Sequence, residues 1–305
     1  MAIFKDYLSL VKFSHTIFAM PFAMIGFILG VYSPGSTVNL NNSIGWDRES
    51  GAGTWTKLVL VILCMVFARS AAMAFNRYLD RHFDAENPRT AIREIPRGII
   101  SANQALIFTI ACCVLFVFCC FLLNSAVLML SPVALFVILF YSYTKRFTAL
   151  CHLVLGLGLA LAPLGAYLAV TGTFALLPVL FASAVLFWVS GFDIIYALQD
   201  EEFDKRNKLH SIPAAVGKVN ALRISEGLHV ASAVCVIAAG AYGGFGWLYW
   251  VGVAVFAGML VYQHSIVKPD DLRRVNMAFM TANGIASVVF AVFVIADLVL
   301  QHSFD

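Results

Sequence analysis

Nine long apolar runs divide the chain, at about 13–32, 57–78, 103–123, 126–143, 152–170, 175–198, 221–242, 247–266 and 276–300. Each approaches the roughly 20 residues that a helix needs to cross the hydrocarbon core of a bilayer. None shows the strict alternation of a membrane β-strand, and all are too long for one. The pattern therefore predicts an all-α, polytopic membrane protein of nine transmembrane helices.

The polar segments between the runs fall into two kinds. Short, nearly uncharged turns sit at Asn124–Ser125, at 171–173 and at 243–246. Charged segments follow the second, fourth, sixth and eighth runs. Seventeen of the 20 Lys and Arg lie in those segments, at the adjoining helix ends or at the N-terminus. Arg48 and Lys57 lie on the other side, and Arg69 lies inside the second run. The positive-inside rule then puts the N-terminus and the charged loops in the cytoplasm, with the chain in the inner membrane and its C-terminus outside. The longest outer segment, 33–56, is rich in Gly, Ser and Asn and reads as a connector.

Composition sharpens this picture. Of the 305 residues, 61% are hydrophobic and only 12% charged, about half the charged share of a soluble domain. Mean hydropathy is +0.87. So few charges could not coat a soluble fold, which excludes a cytosolic enzyme, a disordered chain, a collagen-like repeat and a disulfide scaffold. The seven cysteines lie in or beside apolar runs with no paired CxxC motifs, so they read as packing residues. No cleavable signal is evident, and no nucleic-acid partner is expected.

Two acidic segments carry the candidate chemistry. After the second run come Asn76, Asp80 and Asp84, spaced i, i+4, i+8. On a helix they share a face, about 6 Å apart along the axis. After the sixth run come Asp193, Tyr196, Asp200 and Asp204, with the aspartates at i, i+7, i+11. Like charges on one helical face repel, so two such clusters on one side of a membrane need compensation. A hard divalent cation provides it, and Mg²⁺ commonly divides its shell between one or two carboxylates and a substrate phosphate.

Bases gather beside the acids. Arg77, Arg81, Arg89, Arg93 and Arg97 flank the first cluster, and Lys205, Arg206 and Lys208 follow the second. Lys145 and Arg146 close the fourth run in Tyr141-Ser-Tyr143-Thr-Lys-Arg. Positive-inside topology accounts for bases of this kind, and so does an anionic substrate held by metal and Lys/Arg together. Arg69 stands apart. An intramembrane arginine is expensive and points to function. It precedes Asn76 by seven residues, two helical turns, and so shares the acidic face one level deeper. It reads as the receptor for an acidic group on a second substrate.

With both motifs in view, the chain resembles the UbiA superfamily of intramembrane aromatic prenyltransferases. The resemblance rests on Asn76-x3-Asp80-x3-Asp84, on Asp193-x2-Tyr196-x3-Asp200-x3-Asp204, and on the Tyr-x-Tyr-x-Lys-Arg segment between them. It covers essentially the whole chain and implies one domain over 1–305, its nine helices arranged around a central cavity. The likeness is greatest to the 4-hydroxybenzoate polyprenyltransferase branch. The stretches Lys12-Phe-Ser-His15-Thr-Ile-Phe and Asn87-Pro-Arg-Thr-Ala-Ile-Arg-Glu-Ile-Pro96 look like a bacterial and archaeal subgroup with members tied to menaquinone made by the futalosine route. The outer loop 33–56 is longer than the family pattern.

The resemblance implies roles. Asn76, Asp80 and Asp84 hold one Mg²⁺ on a polyprenyl diphosphate, and Asp193, Asp200 and Asp204 hold another. Asp200 also serves as an electrostatic or proton-accepting group near the acceptor. Lys145, Arg146 and Lys12 contact the diphosphate, with Tyr196 in the substrate-binding set. Arg69 binds the carboxylate of a small hydroxy-aromatic acid, 4-hydroxybenzoate or a dihydroxynaphthoate. The expected reaction is Mg²⁺-dependent prenyl transfer in ubiquinone or menaquinone biosynthesis, the tail lying among apolar helices and membrane lipids. A secondary transporter of an anionic substrate is the rival outside the family, although its site would lie near the bilayer midplane. A member prenylating haem or another lipid-quinone acceptor is the rival within it.

Overall fold

The computed structural model describes residues 4–11, 18–33, 46–47 and 51–303. A short helix α1 (Phe4–Leu10) precedes α2 (Met20–Val31). Then come α3 (Thr54–Leu79), the short α4 (Arg81–Glu86), α5 (Ala102–Leu123), α6 (Ser125–Thr144) and α7 (Cys151–Thr171). The second half holds α8 (Leu176–Ala197), the short α9 (Glu201–Arg206), α10 (Ile212–Gly243), α11 (Trp247–Ile266), α12 (Val275–Met277) and α13 (Asn283–Ser303). Among the described residues, eight helical segments are long and apolar enough to cross a membrane, and α2 is a shorter apolar helix of 12 residues. The first part of the run 13–32 lies outside the described residues. Between α2 and α3, Trp46 pairs with Ala52 and Asp47 with Gly51 in a two-residue antiparallel ladder.

Local chemistry sets the helix ends. Ser101 and Gln104 form a reciprocal capping box that starts α5. Asn124 accepts from the Val127 N–H to start α6. Gly172 and Gly244 end α7 and α10 in the left-handed conformation, which glycine adopts without steric cost. Helix α10 begins nine residues before the apolar run at 221. Its first turn, Ile212-Pro-Ala-Ala215, is capped by Ser211, and Gly217 (φ 77°) kinks the helix behind that turn. Between α12 and α13, Ala278–Ala282 form a π-helical turn.

Chain neighbours pack side by side: α3 on α5, α5 on α6, α6 on α7, α7 on α8, α8 on α10, and α10 on α11. Helix α13 packs on α11 and on α2, while α2 also lies against α7. The largest core cluster joins α2, α8, α11 and α13 around Phe22, Phe181, Trp188, Phe256 and Phe290, all fully buried. In the bilayer the driving force for helix association is packing and hydrogen bonding rather than hydrophobic burial. Accordingly, Ser225 and Ser232 of α10 donate to the Gly191 and Ala184 carbonyls of α8, at 2.7 and 2.8 Å.

Candidate active site

Neither acidic motif lies on one continuous helix, contrary to the face expected from spacing alone. Helix α3 ends at Asp80 (φ −89°, ψ 9°), and α4 resumes from it. Helix α8 ends at Ala197, a single 3₁₀ turn carries Leu198–Asp200, and α9 follows. The acidic faces are thus assembled across bends.

Arg69, Asn76, Asp80, Asp84, Lys145, Arg146, Asp193, Tyr196 and Asp200 line one cavity of ≈ 480 Å³. Asp204 is fully buried behind that lining. Lys12 lies outside the described residues. The residues α3 and α4 contribute therefore meet those of α8 and α9, with the α6–α7 connection between them.

The compensation expected from metal is supplied in this structure by bases. Arg146 Nη2 is 2.8 Å from Asp80 Oδ1 and also donates to the Leu79 carbonyl at 3.2 Å. Arg93 Nη1 is 2.5 Å from Asp84 Oδ1, and Arg77 approaches the other oxygen at 3.9 Å. Lys145 Nζ is 2.8 Å from Asp204 Oδ1. Arg89 grips Asp200 with two nitrogens, its Nε at 3.0 Å from Oδ1, and donates to the Tyr196 hydroxyl at 2.9 Å. Asn87 Nδ2 adds a bond to Asp200 at 3.1 Å. His152 Nδ1 is 2.7 Å from Asp193 Oδ2. Asn76 Nδ2 donates to Asp80 at 3.0 Å.

Several of these groups titrate away from their ordinary values. Burial pushes the Asp80 carboxyl up, and Arg146 pulls it back only in part. Burial alone would lower Lys145, but the adjacent Asp204 carboxylate overrides it and holds the ammonium above its usual value. Arg89 is raised too, burial being outweighed by Asp200.

Four buried atoms lining the cavity have no hydrogen bond: Arg69 Nε, Arg77 Nε, Ser142 Oγ and Asp84 Oδ2, the last with only the 3.9 Å approach of Arg77. Buried polar atoms of native proteins are nearly always satisfied, so a group of exceptions around one cavity is consistent with a polar ligand, water or ion there. Arg69 also lines a second, largely apolar cavity of ≈ 290 Å³ between α3, α5, α6 and α7. Met73, Tyr141, Leu155 and Leu159 border both spaces, so the polar cavity and the apolar chamber meet at Arg69.

Asn87, Arg89, Arg93 and His152 are part of this network although motif spacing did not single them out. Arg89 and Arg93 stood among the bases flanking the first cluster and Asn87 opened a stretch that resembles a family subgroup, but neither signal tied them to Asp84 or Asp200. His152 opens an apolar run and offers no pattern at all.

Residues 46–285 match the UbiA prenyltransferase family. The chain is 31% identical to the 4-hydroxybenzoate octaprenyltransferase of Paraburkholderia phytofirmans over 80% of its own length and 85% of that protein. It superposes on the apo structure of a UbiA homologue from Aeropyrum pernix with a TM-score of 0.75 and 28% identity, covering 94% of this chain and 98% of that one. It has the fold of a UbiA homologue from Archaeoglobus fulgidus whose structure is bound to GPP and Mg²⁺, with a TM-score of 0.68 at 20% identity over 96% and 99% of the two chains. The family match spans most of the chain, both acidic motifs and the cavity they line: this protein belongs to the UbiA prenyltransferase family and is a membrane-embedded prenyltransferase.

Proposed function

We propose that the enzyme moves a polyprenyl group from its diphosphate to a carboxylated hydroxy-aromatic acceptor, 4-hydroxybenzoate or a dihydroxynaphthoate, in quinone biosynthesis. The observation that carries this reading is Arg69. It is an intramembrane cation with a buried, unpartnered Nε where a polar cavity meets an apolar chamber. A buried cation of this kind suits the carboxylate of an aromatic acid. The name of the Paraburkholderia relative agrees with such an acceptor.

The donor set fits Mg²⁺. Asn76, Asp80, Asp84, Asp193 and Asp200 offer hard oxygens, and Asp84 Oδ2 is buried without a hydrogen bond. No group of three or more acidic, His or Cys side chains converges on a metal position among the described residues. Mg²⁺ needs none, since it habitually completes its shell with substrate phosphate and water. The Archaeoglobus homologue was solved bound to GPP and Mg²⁺, which agrees with this reading. Bound here, the cation would neutralise charge growing on the departing diphosphate and favour cleavage of the allylic C–O bond.

This chain's own residues do the rest. Arg146 exchanges Asp80 for diphosphate oxygens, and Lys145 reaches them as well. Fully buried Asp204 backs Lys145 from behind. Arg69 fixes the acceptor carboxylate, which orients the ring carbon ortho to the hydroxyl toward the allylic carbon. The diphosphate leaves with the C–O electron pair, and the ring carbon then attacks the allylic cation to form the C–C bond. Asp200 stabilises positive charge on the ring and receives its proton, which restores aromaticity. The prenyl tail lies in the apolar chamber, whose walls keep water from the allylic cation. The charge asymmetry supports a site on the cytoplasmic side of the inner membrane.

Purified enzyme supplied with Mg²⁺, both acceptors and polyprenyl diphosphates of graded length tests the reading. Prenylated acceptor is expected, none of it after EDTA. Substrate flux into vesicles without prenyl transfer would sink it.

A further inference from the structure

We propose that His152 is a positioning residue of the active site, which fixes the Asp193 carboxylate through a single imidazole tautomer. The inference rests on reading the cavity as the site of the metal and diphosphate.

His152 is the second residue of α7 and is 3% exposed. Its two ring nitrogens have different partners. Nε2 accepts from the Ile212 N–H at 3.3 Å. Ile212 is the first residue of α10, so this N–H is one of the donors that a helix start leaves without an intrahelical partner. A nitrogen that accepts a hydrogen bond carries no proton, so the proton sits on Nδ1 and is donated to Asp193 Oδ2 at 2.7 Å. The ring is held from its backbone as well, because the Ser190 hydroxyl of α8 donates to the His152 carbonyl at 3.1 Å. The imidazole therefore joins α7, α8 and α10 and has no freedom to turn.

The same first turn of α10 holds a second carboxylate. Ser211 Oγ donates to Asp204 Oδ2 at 2.7 Å while accepting the Ala214 N–H as the helix cap. Asp193 and Asp204, on either side of the bend in the second motif, are thus referred to one rigid turn. Ligating groups are commonly oriented by a partner of this sort, and its loss costs about 10–100-fold in metal affinity or activity.

Side-chain geometry gives a discriminating test. An Asn at 152 sets its amide N–H where Nδ1–H now stands, whereas a Gln sets its amide group near Nε2. Wild type, His152→Asn, His152→Gln and His152→Leu are compared in detergent for turnover, acceptor KM and thermal stabilisation by Mg²⁺ with inorganic diphosphate. His152→Gln and His152→Leu should lose about 10–100-fold in turnover and most of the stabilisation. His152→Asn should recover most of both, and acceptor KM should stay put in all three. If the wild type responds while Asn and Gln are equally impaired, the histidine is only a packing residue and the inference falls alone. A wild type indifferent to Mg²⁺ and diphosphate overturns the reading of the site and this inference with it.

Discussion

Around Trp188 the bundle is filled with rings, whereas between α3, α6 and α7 it is left open. Trp188 has Phe22, Phe192 and Phe256 at centroid distances of 5.4, 5.2 and 5.9 Å, and its indole N–H donates to Asn283 at 2.9 Å. Helix α8 buries 12 of its 22 residues. Helix α6 buries three of 20, namely Ser131, Ser142 and Thr144. On the open side Ala68, Ala72, Ala134, Gly158, Ala162 and Gly165 leave room where large side chains would fill it. One side is a fixed wall that aims residues, and the other is a receptacle. The carboxylates stand at the seam, Asp80 and Asp84 from one side and Asp193 and Asp200 from the other.

If both sides of the seam are needed, Asp80→Ala and Asp200→Ala should each reduce prenyl transfer to background while membrane insertion is preserved. Near wild-type turnover of either variant at saturating Mg²⁺ breaks the two-sided site. On the packed side, Trp188→Ala should cost about 3–5 kcal/mol, read as loss of monodisperse protein on heating in detergent. A melting profile unchanged by that substitution removes the contrast in packing. Where the two spaces meet, Arg69→Ala should raise acceptor KM about 10–100-fold, the worth of a lost charged hydrogen bond. An unmoved KM strips Arg69 of its role. On the open side, Gly165→Leu should leave the fold intact, since a Cβ there has no atom within 4 Å and a helix interior favours Leu over Gly. It should slow transfer of long tails a few-fold more than short ones. Equal slowing for all lengths means the tail lies elsewhere.

Much of the fold was legible because a bilayer punishes every polar interruption, so the apolar runs declare themselves. The acidic motifs were legible for the same reason: in so poor a background of charge, Asp80, Asp84, Asp193, Asp200 and Asp204 stand out. The bends at Asp80 and at 198–200 were not, since spacing alone cannot distinguish a continuous helix from one broken in register. Nor were the pairings. Arg146 meets Asp80 across 66 positions and Arg89 meets Asp200 across 111. Proximity of that kind is a product of helix packing, not of local pattern. His152 was hidden most completely, because a single histidine at the head of an apolar run carries no period and no neighbouring charge.

The π turn at Ala278–Ala282 serves two contacts that a regular helix could not serve together. Within it, Phe279 lies against Tyr196 at 4.3 Å, on the rim of the polar cavity. Directly after it, Asn283 gathers Trp188 and Gln263 on its side-chain oxygen and returns its amide to the Phe279 carbonyl at 3.0 Å. Each residue of an α-helix advances about 100° around the axis, and a π turn holds one residue more than an α turn does. The surplus residue is a phase shifter between the cavity rim and the interior of the bundle. Excising exposed Thr281 would make the helix regular, yet it would swing one of those two contacts out of alignment. The length of this turn is consequently a fixed quantity of the design, as binding on the chain as the identity of any side chain within it.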